Sequence, residues 1–386
     1  MDPLIVVSGN MVIAPGGFLR RKVRAMSRIG PAHGPVLVVG GGGYIGTHVV
    51  EQLLAKGRSV RVLDRLMFGR KPLQDFLANP RFELIPGDAT NVVELVGAMQ
   101  GASAVVHLAG LVGDPACALD ESFTWHENVT ATHQIKEAAR AFGVRRFIFS
   151  SSCSVYGINT VEVDETSAVN PVSLYARSKV DSERELLLCA DEHFSVTILR
   201  FATVFGHSRR PRFDLVANLF TAQAMVDGKI TLMGPSQWRP FVHVRDLARG
   251  IVAALEANPE RMRGQVFNVG DRGLNMTIGQ LAALVQKVVS RERPVEIVEM
   301  ASKDPRNYAG SFEKIRRDLG FEAEMSMESG IEEIVSEFKK GSYGHYKDAV
   351  YSNLETTKKA LSEFRQRGQT VPVHPPVAAT ARARLY

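Results

Sequence analysis

The stretch "PVLVVGGGGYIGTHVVEQLLAKG", residues 35–57, constrains this chain more than any other. A short Val-rich run reads as a strand buried on both faces, as in a parallel sheet. Helical spacing follows, ending on a Gly stop. Between them "GGGGYIG" sets Gly40, Gly43 and Gly46 at G-x-x-G-x-x-G spacing. A glycine pattern by itself says little, but between a strand and a helix it reads as a phosphate cradle. Gly40 permits the tight turn, Gly43 lets a pyrophosphate approach the backbone, and Gly46 lets the helix pack on the strand. Tyr44 and Ile45, inside the turn, join the expected cofactor contacts. The helix N-terminus then faces the phosphate charge.

The same rhythm repeats down the chain. "SVRVLD", "FELIPGD", "AVVHLAG", "RFIFSSS" and "SVTILRF" read as further strands, with "NVVELVGAM", "NVTATHQIKEAARAFG" and "YARSKVDSERELLLCA" as helices among them. This alternation predicts an α/β fold built on a doubly wound parallel sheet, with a dinucleotide-binding domain over residues 35–206. After Gly206 the rhythm loosens. Residues 207–335 read mainly as a smaller C-terminal α/β substrate-binding cap, with the return of late segments to the sheet left open. Residues 336–386 read as a helical extension and a flexible tail. Residues 1–34, where Arg20, Arg21, Lys22, Arg24 and Arg28 stand against Asp2, read as a disordered basic arm, and Met26 is the simpler start of translation.

Asp64 ends the second strand, about 20 residues past the glycines, where an acid meets ribose hydroxyls. Its carboxylate repels a 2′-phosphate, so NAD is favoured over NADP, although a guanidinium at Arg65 would tolerate that phosphate. Asp88 in "PGDAT", with Ala89 beside it, reads as an adenine-side contact or a helix cap.

Bulk properties remove other function classes. The net charge of +6 is concentrated toward the chain ends. No aromatic interleaving accompanies it, so no nucleic-acid partner is expected. No apolar run approaches the ~20 residues of a membrane span. The three cysteines, Cys117, Cys153 and Cys189, lack ligand spacing, which argues against a metal and for a reducing, cytoplasmic compartment.

Over roughly residues 35–335 the chain resembles the extended short-chain dehydrogenase/reductases, of the NAD-dependent nucleotide-sugar epimerase and dehydratase type. The resemblance rests on "GGGGYIG", "GDAT", "HLAG", "SSSCSVYG", "YARSK", "LRFATVFG" and "RPFVHVRDLA", in that family's order. It implies a Rossmann-type sheet, a tightly held NAD, a nucleotide diphosphate sugar between sheet and cap, and a homodimer. By resemblance Ser152, Tyr175 and Lys179 are the catalytic triad. Tyrosine, with an ordinary pKa near 10, is too weakly acidic to serve as a base at neutral pH. Lys179 lies one helical turn on and shares its face. Its charge, with that of the nicotinamide, is expected to lower the phenol's pKa. Ser152 would hydrogen-bond the reacting oxygen, and Lys179 the nicotinamide ribose. Leu108, Ala109 and Gly110 are expected to line the cofactor. Asn128 matches an asparagine that opens a helix near the site, or else is an ordinary cap. Thr203 is placed with the substrate. Asn218, Arg239 and Arg306 are expected to grip the substrate diphosphate, against surface salt bridges as the alternative for the arginines.

The residues after Ser152 bear on the reaction. Dehydratases of this resemblance have Asp-Glu there; this chain has Cys153 and Ser154, which disfavours 4,6-dehydration. Related 3,5-epimerases place a Cys where Ser154 stands. Successive residues leaving a strand point opposite ways, so Cys153 is expected to be a packing residue. His207 is a second proton carrier or a loop histidine contacting phosphate or solvent. A 4-epimerase, oxidising and re-reducing one sugar carbon, needs little beyond the triad. A dehydrogenase or ketoreductase with net hydride transfer is the alternative, and a non-catalytic dinucleotide-binding scaffold the least supported. UDP-galactose 4-epimerases of this resemblance carry Asn in place of Thr203, and the arginines of "RRPRFDLVANL" suggest a strongly anionic substrate.

Overall fold

The computed structural model describes residues 34–301 and 304–366. The basic arm and Met26, apart from Gly34 at the arm's end, lie outside the described residues, as does the tail beyond 366.

Seven strands form the central sheet: β1 (Val36–Val39), β2 (Val60–Asp64), β3 (Phe82–Pro86), β4 (Ala104–His107), β5 (Arg146–Ser152), β6 (Ser195–Phe201) and β7 (Gln265–Val269). They are all parallel and stand in the order β3-β2-β1-β4-β5-β6-β7. The order reverses between β1 and β4, and the crevice outside the carboxyl ends of those strands is where such sheets bind ligands. The doubly wound architecture expected from the sequence is therefore present.

The α-helices of eight or more residues are α1 (Gly46–Ala55), α2 (Val92–Met99), α3 (Ala131–Ala141), α4 (Leu174–Leu188), α5 (Val216–Asp227), α6 (Val244–Glu256), α7 (Ile278–Val289), α8 (Met327–Lys339) and α9 (Asn353–Gln366). Strand β1 is buried throughout, and its alternation sorts the layers. Val36 and Val38 pack with Val49 and Leu53 of α1 and Leu247 and Ile251 of α6. Leu37 and Val39 pack with Leu95 of α2, Ile135 of α3 and Leu186 of α4 on the other face. One strand with side chains alternating between two faces thus needs two helical layers.

Segments after Gly206 serve both halves. β7 pairs in register with β6, and α6 lies in the α1 layer. Helices α5, α7 and α8 instead form a separate core around Phe220, Leu281, Val285 and Ile331. The start of α7 is fixed by a capping box between Thr277 and Gln280. Residues Lys229–Met233 and Glu296–Met300 add a parallel pair to this cap. Among the described residues no helix is long and apolar enough to cross a membrane.

Candidate active site

A cleft of about 820 Å³ runs along the carboxyl ends of the strands and under the cap, within the usual range for small-molecule sites. Its sheet side is built by the glycine turn. Gly40 sits at φ +85°, and a Cβ there would lie 2.7 Å from the Ala109 amide nitrogen. A Cβ on Gly46 would lie 2.5 Å from the Gly40 carbonyl oxygen. These two glycines let β1, the β4 end and α1 close up, while Gly43 meets only the Gly40 oxygen, at 3.3 Å. Gly40, Gly43, Tyr44, Ile45 and Gly46 all line the cleft.

Asp64 accepts the Gly42 amide at 2.8 Å and the Leu66 amide at 2.7 Å. The second bond holds Leu66 at φ +58°, a left-handed conformation that a branched side chain adopts at some cost. Burial pushes the Asp64 carboxyl up, against those two amides. Arg65 is bound to Glu127 and, at 3.3 Å, to Asp88. Its charge is therefore committed to carboxylates rather than presented for a 2′-phosphate, which fits the residues to NAD. Asp88 lines the cleft with Ala89, but it does not cap α2. Asn91 does, accepting the Val93 amide at 3.0 Å, while one Asp88 oxygen accepts from the Thr90 amide and hydroxyl, each at 2.8 Å.

The triad converges on the cleft. Ser152 ends β5, and Tyr175 and Lys179 lie one turn apart on α4, whose start Ser173 caps. The Ser152 side chain stands near the Tyr175 phenol and pulls its pKa down, while its oxygen accepts the Ser154 amide at 3.2 Å. Lys179 donates to the Ser150 carbonyl at 2.8 Å and lies 5.8 Å from the centre of the Tyr175 ring. Burial pushes the Lys179 ammonium down to about 8, with Cys117 and Glu183 pulling the other way. The expectation that the tyrosine's pKa is lowered is not met by the chain's own groups. Burial, then Cys117, push the phenol up, and Ser152 only partly offsets them.

Behind the triad lies a buried ion pair. Arg200 on β6 binds Glu183 on α4 at 2.7 Å, and Glu183 also takes the Ser151 hydroxyl. Arg200 further donates to Tyr156 at 2.9 Å, and Tyr156 to Asn268 at 2.8 Å. These bonds lock the β5 end to the helix that presents Tyr175.

The two residues after Ser152 face opposite ways. Cys153 is 1% exposed, packs with Val155, Tyr156 and Tyr308, and points its thiol at the Arg200 carbonyl. It is a packing residue. Ser154 lines the cleft instead, its hydroxyl buried without a partner.

Leu108, Ala109 and Gly110 line the cleft as expected, as do Thr203, Arg239 and Arg306. Both arginines are held in ion pairs at the cleft wall, in line with the salt-bridge alternative: each binds Asp304, at 3.1 Å and 2.6 Å, and Arg306 also binds Asp114 at 2.7 Å. Against the burial that pushes it up, Arg306 and Arg239 hold Asp304 at about 2.

Three expected residues stand elsewhere. Asn128 neither opens nor caps a helix. It lies in a π-turn inside a helical stretch whose first cap is Asp120, and it stands behind the cleft wall. There it accepts the Leu111 amide at 2.7 Å and donates to Ser178 at 3.0 Å, fixing the Gly110–Leu111 turn. Asn218 is buried at the foot of the cap, accepting the Gly206 amide at 3.0 Å and donating to the Arg212 carbonyl at 2.9 Å. Its amide is spent on holding a loop. His207 is a half-buried loop histidine that meets Tyr343 at 2.7 Å and lies away from the cleft lining, which fits the loop-histidine reading on its solvent side and places the ring apart from the phosphate-contact and proton-carrier roles.

The structure adds residues that the sequence reading left out. Arg210 and Arg212 line the cleft, as does Asp114. Helix α9 returns from the C-terminal extension to supply Thr356 and Thr357 to the lining, and its Leu361 packs with Leu111, Phe123 and Tyr175. The arginine-rich loop was visible in the sequence; nothing in the sequence of α9 pointed at the cleft.

Residues 36–270 match the NAD dependent epimerase/dehydratase family. The chain belongs to that family. Within it, the chain is 30% identical over 307 residues to a UDP-glucose 4-epimerase of Corynebacterium glutamicum, covering 75% of this chain and 91% of that one. The fold is similar to a UDP-glucuronic acid 4-epimerase from Bacillus cereus solved with UDP-glucuronic acid and NAD, at TM-score 0.72 and 26% identity, over 79% of this chain and 99% of that one. It is also similar to DesIV, a dTDP-glucose 4,6-dehydratase from Streptomyces venezuelae solved with NAD bound, at TM-score 0.73 and 26% identity, over 81% and 100% of the two chains. This epimerase/dehydratase-family chain is an enzyme, and its cofactor is NAD.

Proposed function

We propose that this enzyme is a nucleotide-sugar epimerase that inverts a sugar carbon, C4 in our reading, through a transient ketone. The observation that carries the reading is the composition of the cleft around β5. Ser152, Tyr175 and Lys179 meet there, and the two positions after Ser152 hold Cys153, turned into the core, and Ser154. Proton and hydride traffic at one carbon is supported; the paired acids of a dehydratase are missing from those positions.

NAD, when bound, supplies a hydride acceptor and then the same hydride as donor. Gly40, Gly43, Gly46, Asp64 and Lys179 would hold it. Tyr175, ionised to the phenolate, would take the proton from the sugar hydroxyl as the carbonyl forms and return it when the alcohol is restored. Ser152 orients that oxygen by hydrogen bonding to both it and the phenol. The charge of Lys179, together with that of a bound nicotinamide, would counter the burial that holds the phenol's proton on. Arg239 and Arg306 would have to turn from Asp304 to the substrate diphosphate to serve it as cationic donors, and Thr203 would lie at the sugar.

The experiment is a panel of UDP-, GDP-, dTDP- and CDP-sugars given to the NAD-loaded enzyme, with absorbance followed for NADH and products identified by NMR. Appearance of the isomer without accumulating NADH is the expected result. NADH accumulating with a keto-sugar would replace epimerisation by net dehydrogenation.

A further inference from the structure

Arg210 is only 3% exposed, yet its Nε and Nη2 have no hydrogen-bond partner within the chain. Burying a cation without partners is unfavourable, and an orphaned donor of this kind calls for an explanation. The guanidinium lies over Phe68, 3.6 Å from the ring centre. Both side chains line the cleft with Gly43, Tyr44 and Asp64. Phe68 belongs to the loop that leaves β2 just past Asp64, so the stack joins the cap loop to the ribose side of the cleft.

The loop carrying Arg210 is fastened to the beginning of α1. Tyr44 donates its hydroxyl to the Gly206 carbonyl at 2.6 Å. Ser208 donates to the Tyr44 carbonyl at 2.7 Å and meets Thr47 at 3.1 Å. The His48 ring meets the His207 carbonyl at 3.0 Å, and Arg209 binds Glu51 at 3.0 Å. These ties hold Arg210 beside the helix N-terminus, where a pyrophosphate belongs. Arg212, two residues on, is already bidentate on Asp214 at 2.9 Å. Burial, then Arg212, push the Arg210 guanidinium down to about 9, and an anion in contact would reverse that.

We propose that Arg210 locks the dinucleotide in place: its Nε and Nη2 hydrogen-bond the pyrophosphate of NAD, adding two charged donors to the amides of the glycine turn, with Phe68 bracing the guanidinium plane. The substrate brings a second diphosphate into the same cleft. Arg239 and Arg306 gather around Asp304 for it, whereas Arg210 stands with Phe68 and Tyr44 on the dinucleotide side. The proposal goes beyond the sugar chemistry and holds whichever reaction the cleft performs.

The test is calorimetric binding of NAD, ADP-ribose, adenosine and UDP to enzyme stripped of NAD. In Arg210→Gln the Kd for NAD and for ADP-ribose should rise about ten- to a hundredfold, the range expected for lost charge-assisted bonds. Adenosine and UDP should bind within about twofold of the parent. Arg210→Lys keeps the charge without the planar fork, and it should weaken ADP-ribose by a smaller factor while leaving UDP alone; it carries the test if the Gln variant fails to fold. Unchanged affinity for NAD and ADP-ribose overturns the proposal. So does a loss confined to UDP, which would assign Arg210 to the sugar nucleotide.

Discussion

Lys179 donates to the backbone carbonyl of Ser150 at 2.8 Å, and that is the one hydrogen bond its buried ammonium makes within the described residues. The arrangement suits catalysis at the expense of stability. Burial holds Lys179 at about 8, against an ordinary 10.5. Between those two values the unfolded chain binds more protons than the folded one, so stability rises with pH across that window. The relief is on the order of 3 kcal/mol. Lys179→Met keeps the length and removes the charge. Stripped of NAD, the variant should melt above the parent at pH 7, and its advantage should shrink as pH climbs from about 8 toward 10. Turnover should fall by at least about a hundredfold. A lower melting temperature at pH 7, with a gap that ignores pH, would mean that the ammonium is not strained.

Removing the phenol isolates the proton transfer. Tyr175→Phe preserves the ring that packs with Leu111 and Leu361 and deletes the hydroxyl beside Ser152. We expect turnover to drop by about 10²- to 10⁴-fold, with NAD still recovered from the purified protein. Near-parental turnover would remove Tyr175 from the chemistry.

The ion pair behind the site should behave asymmetrically. Glu183→Ala leaves Arg200 charged and buried, and urea unfolding should show a loss of about 3–5 kcal/mol. Adding Arg200→Met to that variant should recover a substantial part. If the double variant is no better than the single one, the penalty does not come from an unpaired cation.

What the sequence made legible was whatever is encoded locally. Val36 to Gly46 specifies strand, turn and helix within one stretch, because the glycines are demanded by close backbone approach. Tyr175 and Lys179 are reached through the family resemblance, with helical spacing placing both on one face. Cys153 could be turned inward from strand alternation without seeing its neighbours. Residues whose roles depend on distant partners were misread. Asn218 has the chemistry of a diphosphate ligand, but the Gly206 and Arg212 backbone takes up its amide. Asn128 resembles a cap, yet it lies in mid-helix to brace a turn at Leu111. The commitment of Arg65 to Glu127 spans 62 residues, a pairing that no local pattern contains. The placement of α9 depends on contacts with equally remote segments.

That helix gives the last prediction. Asn353 donates to the Val112 carbonyl at 3.3 Å, and Arg365 binds Asp120 at 2.7 Å. Between these anchors Leu361 packs on the Tyr175 wall, and Thr356 and Thr357 face the cleft. None of these residues belongs to the sheet, whose layers close without them. Truncation after Ser352 should therefore leave a folded protein that binds NAD within about twofold of the parent. Opening one wall of the sugar site should raise KM for the nucleotide sugar by about tenfold, the equivalent of ~1.4 kcal/mol. Steady-state kinetics beside an NAD titration would separate the two effects. A parallel loss of NAD binding would make α9 a support for the whole cleft, and an unchanged KM would make it a bystander at the wall.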